Sequence, residues 1–153
     1  MSKRIMAMLA GVVALAMLVG GCGGSSEDES LTKAEFISQA DAICTEANEE
    51  YKADYEAFLE EESIDKEQLP SEAQGLEFLE EAFASNAENR LNALRDLSPP
   101  AADEKEVEAF FDATEQGLEK VEKNVKTLYD DPTTFTKARE LGSAYGFKVC
   151  GLS

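Results

Sequence analysis

Leu31-Thr32-Lys33-Ala34-Glu35-Phe36 begins the part of the chain that decides the fold. Thr32 with Glu35 three residues on is a capping box. The threonine oxygen accepts from the third helical amide, and the glutamate reaches back to the cap's own N–H. Leu31 and Phe36 flank the box as a hydrophobic staple. Beyond it Phe36, Ile37, Ala40, Ile43, Cys44, Ala47, Tyr51, Tyr55, Phe58 and Leu59 recur at spacings of three and four. That is one face of a long amphipathic helix, with Cys44 on its core side. Asp41, Glu46, Glu49, Glu50, Asp54 and Glu60 fall mostly elsewhere, on the wet side. The helix is expected to end near Glu62, ahead of the polar run from Ser63 to Pro70.

Three more helices follow. Ser71 with Gln74 is a second capping box, and Leu76, Leu79, Phe83, Ala87, Leu91, Leu94 and Leu97 form its stripe up to Ser98-Pro99-Pro100. The residue before a proline avoids the helical region, so the helix stops there. The third starts between Pro100 and Asp103, where Asp103 with Glu106 offers another cap. Its stripe is Val107, Phe110, Phe111, Thr114, Leu118, Val121, Val125 and Leu128. Glu119 with Lys123 and Glu122 with Lys126 are favourable pairs four apart on the wet side. Asp130-Asp131-Pro132 breaks it, and Pro132 suits the first position of a fourth helix. That helix runs to about Tyr145, with Phe135, Ala138, Leu141, Tyr145 and Val149 facing inward.

No strand-like alternation and no internal repeat occurs. The predicted class is all-α, an antiparallel four-helix up-down bundle with short connections. In it the first and fourth helices can be neighbours, which lets Cys44 and Cys150 approach one another.

Upstream lies a different kind of sequence. Met1-Ser2-Lys3-Arg4 is basic, Ile5 to Val19 is apolar apart from Gly11, and Val19-Gly20-Gly21-Cys22 ends the run. This is a charged region, a short apolar region and a small-residue cleavage site. The final four residues resemble the lipobox of bacterial lipoprotein signal peptides, with Val19 where leucine is commoner and Gly20 where alanine or serine is. The resemblance implies cleavage between Gly21 and Cys22 and a diacylglyceryl group on the Cys22 thiol. Two acyl chains suffice for stable anchoring, since each buried methylene contributes about 0.8 kcal/mol. Two alternatives stand beside it: a retained membrane span, for which the apolar run is short of the required ~20 residues, and an ordinary secretory signal. On the preferred reading residues 1–21 are the signal peptide. Residues 22–31 are the lipidated cysteine and a Gly/Ser/acidic tether, and residues 32–153 are an acidic helical domain. The expected location is the extracytoplasmic face of the cell membrane.

Charge narrows the partners. The chain carries 32 acidic and 14 basic residues, a formal charge of −18. Cleavage removes Lys3 and Arg4 and no acid, which takes the charge to −20. Such a surface repels nucleic acid and anionic headgroups, so the membrane has to be held through the lipid. Histidine is absent, which excludes histidine-activated nucleophiles and histidine-ligated zinc.

With Cys22 lipidated, Cys44 and Cys150 are an even remainder in an oxidising compartment, and a disulfide is expected between them. It closes a loop of roughly 105 residues and contributes at most about 4.7 kcal/mol in the chain-entropy model. Two buried free thiols are the alternative. Leu31 to Phe36, Ala40-Asp41-Ala42-Ile43-Cys44 and Tyr145-Gly146-Phe147-Lys148-Val149-Cys150-Gly151 resemble segments of small exported proteins of actinobacteria. That resemblance implies an envelope location and a paired-cysteine helical domain, and it carries no activity.

Candidate chemistry is sparse. The acidic groups Glu49-Glu50, Glu60-Glu61-Glu62, Glu80-Glu81 and Asp130-Asp131 lack the loop spacing of a calcium site and read as solvated faces. No carboxylate pair stands out for glycoside hydrolysis. Gly142-Ser143-Ala144-Tyr145-Gly146 has its second glycine one place too late for a nucleophile elbow. Gly117 and Gly142 inside helices suggest close approach of a neighbour, at a cost of about 1 kcal/mol each relative to alanine. No catalytic residue, metal ligand or cofactor is expected. Two functions remain: an acidic domain presented to an envelope partner, and a module holding a small apolar or cationic ligand between its helices. A cavity lined by Phe83, Phe110 and Leu118 favours the second; a solid core with an exposed apolar patch favours the first.

Overall fold

The structure, a computed structural model, describes residues 30–151. The expected signal peptide, its expected cleavage position between Gly21 and Cys22, and the expected lipidation site Cys22 lie outside those residues. Every regular element among the described residues is helical: α1 (Lys33–Glu61), α2 (Glu72–Phe78), a π-helical turn (Leu79–Phe83), α3 (Ala84–Arg95), α4 (Glu104–Lys123), α5 (Thr127–Asp130) and α6 (Thr136–Tyr145).

The first helix begins as its sequence dictates. Glu35 N–H donates to Thr32 Oγ1 at 3.3 Å and Thr32 N–H donates to Glu35 Oε2 at 3.0 Å. Leu31 packs on the core and its N–H donates to Ser98 O, so the last residue assigned to the tether belongs to the folded domain. The helix closes at Ser63, whose φ of 56° reverses the chain, with Ile64 N–H returning to Leu59 O.

The second capping box is also present: Ser71 N–H donates to Gln74 Oε1 at 3.1 Å, and Gln74 N–H to Ser71 Oγ at 3.4 Å. Helical structure then runs continuously from Glu72 to Arg95, with the π turn between α2 and α3. A π turn holds an extra residue, which rotates the apolar face beyond it relative to the face before it. Phe78, beside the predicted stripe and ahead of the turn, is buried against Tyr51, Tyr55 and Phe58, while Leu79, within the stripe, is half-exposed.

Two boundaries differ from expectation. The third helix stops at Lys123 instead of running through Leu128. Asn124 is extended, and its Oδ1 accepts from Lys126 N–H at 3.1 Å. Asparagine offers the backbone this local alternative to the helical ladder. Lys126 is thereby carried away from Glu122 and pairs with Glu72 at 2.8 Å, whereas Glu119–Lys123 forms at 3.5 Å. The fourth helix starts at Thr136, not Pro132. Asp131 holds the intervening turn by accepting from the amide and hydroxyl of Thr133 at 2.9 and 2.5 Å.

Gly146 ends α6 with φ +116°, and both its N–H and that of Phe147 donate to Gly142 O. Beyond it the helical register no longer holds. Phe147 is buried and Val149 only half-buried, the reverse of the emphasis the stripe gave.

Packing runs from α1 to α3, from α3 to α4 and from α4 to α6. The fourth helix lies chiefly on α4. Its link to the first comes from its last residue and the tail: Tyr145 and Phe147 meet Phe36 at ring-centroid distances of 6.0 and 6.1 Å. Both helical glycines mark close approach. A β-carbon on Gly117 would collide with the Phe135 ring, and one on Gly142 would stand 3.0 Å from Gly151 Cα and 3.1 Å from Phe110.

Candidate functional site

Cys44 and Cys150 are joined by a disulfide, with Cα atoms 5.4 Å apart. Cys44 lies on the buried face of α1, as its spacing requires. Cys150 is brought to it by a device the sequence did not announce. Asp41, one turn before Cys44, accepts backbone N–H groups from Lys148 at 2.9 and 3.1 Å, Val149 at 2.8 Å and Cys150 at 3.2 Å. The tail has left the helix, and one carboxylate collects three of its amides. Ser143 Oγ adds a bond to Gly151 O at 3.3 Å. The available clue was an acid three places before a cysteine, at the edge of the apolar face.

Inside this clasp is a cavity of about 240 Å³. The disulfide, Phe83, Leu94, Phe110 and Phe135 form much of its wall. Phe83 comes from the π turn, and Phe135 is seated on Gly117. Phe83 and Phe110 were expected here. Leu118 was too, but it borders a separate surface depression with Glu88, Glu115, Glu119 and Glu122.

Two charged residues line the cavity, Arg90 and Arg139. Arg139 Nη2 donates to Pro132 O at 3.2 Å and to Thr136 Oγ1 at 3.4 Å. Arg90 has no hydrogen-bond acceptor or carboxylate partner among the described residues. Burial without an opposing charge pulls its pKa below the ordinary arginine value. None of the described side-chain nitrogens or oxygens is both fully buried and unpaired, so the guanidinium keeps an opening outward. Arg90, Phe83 and Leu128 also border an outer depression that Asn48 and Asn86 share, which places them between cavity and surface.

A second apolar feature lies at the other end of α1. Tyr51, Tyr55 and Phe58 gather around Phe78, with centroids 5.2–5.3 Å away. An open groove of about 440 Å³ runs beside Tyr51, Tyr55 and Phe78, and its rim includes Leu69, 90 % exposed, and Tyr129, 58 % exposed.

The remaining candidates have structural roles. Asp103 starts α4 without capping it through its side chain; its carboxylate instead accepts from Tyr145 Oη at 3.0 Å and lies 3.8 Å from Lys33 Nζ. Lys33 also sits 3.9 Å above the Tyr145 ring. Burial and the Asp103 charge push the Tyr145 phenol above its ordinary range. The acidic groups read as wet faces are exposed, apart from the half-buried Asp131. Ser143 is exposed, on α6. Among the described residues no helix is long and apolar enough to cross a membrane.

Comparison with known proteins finds no matching family model, no matching curated protein and no matching solved structure.

Proposed function

We propose that the chain is a non-catalytic binding module, tethered by lipid on Cys22 to the outer face of a cell membrane, that holds a small apolar-bodied ligand between its helices. Its frame is an antiparallel four-helix arrangement of α1, α2–α3, α4 and α6, a reading supported by the packing order of those helices. The observation that carries the function is the 240 Å³ space walled by Phe83, Phe110, Phe135 and the disulfide. Close-packed interiors leave few voids larger than a water molecule. A cavity of 150 Å³ lined by apolar groups binds benzene, so by proportion this one has room for about ten non-hydrogen atoms.

The test is purification of the native chain from detergent-solubilised membranes, followed by mass spectrometry of what accompanies it. A stoichiometric small molecule of about that size is expected. Recovery of a protein partner with no small molecule would favour a second reading, in which the aromatic groove rimmed by Leu69 and Tyr129 presents the domain to an envelope protein. The tether is tested separately: Cys22→Ala is expected to move the protein out of the membrane fraction. Retention there would make the leader a membrane span.

A further inference from the structure

Resting on that reading, we infer that the cavity selects an anionic amphiphile, a monocarboxylate with an apolar body of about eight carbons, and that Arg90 receives its carboxylate. In a chain whose acids outnumber its bases by 32 to 14, both charged residues on the cavity wall are arginines. The other arginine of α3, Arg95, has the expected arrangement: it is bonded to Glu115 at 3.1 and 3.5 Å. Arg90 lies one and a half turns earlier and has no such partner among the described residues. A half-buried guanidinium facing an apolar space costs desolvation that an incoming carboxylate would repay with charge-assisted hydrogen bonds. Arg139 is oriented by the bonds of its Nη2 to Pro132 O and Thr136 Oγ1, whereas Arg90 has its whole donor fork to offer.

The position of Arg90 fixes the orientation. It borders both the cavity and the outer depression, so the carboxylate sits at the mouth and the chain points inward toward Phe110 and the disulfide. The volume limits the length, and a two-chain phospholipid is far too large. The cationic ligand considered from the overall acidity is disfavoured here, because the cavity wall has the opposite sign to the surface.

Octanoate and octan-1-ol, each labelled with carbon-13 at its oxygen-bearing carbon, can be titrated by NMR into the full chain held in phosphatidylcholine nanodiscs. Empty nanodiscs give the partition baseline. Octanoate is expected to bind roughly tenfold or more tightly than the alcohol. Arg90→Met is expected to bring octanoate down to the level of the alcohol, and Arg90→Lys to retain an intermediate affinity. Thermal unfolding of each variant checks that it is folded. Equal binding of the two probes, or full octanoate affinity in Arg90→Met, overturns the charge selection and leaves a neutral binding cavity standing. Failure of both probes to bind the unmodified chain overturns the cavity reading itself.

Discussion

The carboxylate of Asp41 accepts the N–H of Val149 at 2.8 Å, a bond between residues 108 apart in the chain. The neighbouring amides of Lys148 and Cys150 join the same carboxylate. A non-helical tail is thereby fixed against α1 one turn from the disulfide. Cys44 and Cys150 stand in the cavity wall, so that part of the wall is held by two fastenings, one covalent and one polar.

Asp41→Ala removes the shared acceptor. Hydrogen bonds to charged groups contribute about 1.5–3 kcal/mol, and amides near the surface recover part of that from water, so a loss of about 2 kcal/mol is expected. Asp41→Asn keeps one acceptor oxygen and should lose less. Urea unfolding gives the magnitude, and hydrogen exchange at residues 148–150 gives the location. Unchanged exchange at those amides would show that the carboxylate does not hold the tail.

The disulfide predicts an intact mass two hydrogens lighter before reduction than after. Its loop spans 106 residues, and the chain-entropy limit for such a loop is about 4.7 kcal/mol. Reduction is therefore expected to lower the unfolding free energy, measured by urea titration, by an amount below that limit. Because Asp41 continues to hold the tail, far-ultraviolet circular dichroism should still report a helical protein. Loss of the helical signal on reduction would mean that the polar clasp cannot hold the tail alone.

Gly117→Ala separates helix propensity from packing. In an exposed helix the change gains about 1 kcal/mol. Here the new methyl group meets the Phe135 ring, and overpacking costs about 1–3 kcal/mol. Net destabilisation is expected, and since Phe135 walls the cavity, probe affinity should change with it. A more stable Gly117→Ala with unchanged binding would refute the close approach.

Glu122 lies against Glu88, and the hydrogen bond that one shared proton allows, with desolvation and the like charge of Glu88 added, pushes its carboxyl above the ordinary range. A carboxyl raised on folding binds its proton more tightly in the native state. The repulsive penalty is therefore full above the folded pKa and disappears below the unfolded one. Glu122→Gln should raise the melting temperature at neutral pH by on the order of a degree, an exposed pair being screened by solvent. The gain should vanish as the pH is lowered through the carboxylate range. A gain that persists in acid would assign the effect to something other than charge.

Much of the helical frame was legible along the chain. Thr32–Glu35 and Ser71–Gln74 are local devices, and local devices do not need the rest of the fold. The stripes located the buried faces for the same reason, because each depends only on helical period. The end of α4 at Asn124 was hidden among favourable i,i+4 pairs, which Asn124 overrides by bonding its own backbone neighbour.

What the sequence determined by itself was the all-helical class, the two capping boxes and the core face carrying Cys44. Tertiary structure alone decided the rest. The packing of Phe78 among Tyr51, Tyr55 and Phe58, the Asp41 clasp on residues 148–150, and the gathering of Phe83, Phe135 and Arg90 around one cavity each join groups from distant parts of the chain. Periodicity records which side of a helix is apolar. It does not record what faces a half-buried charge, because that depends on which other helix arrives opposite it.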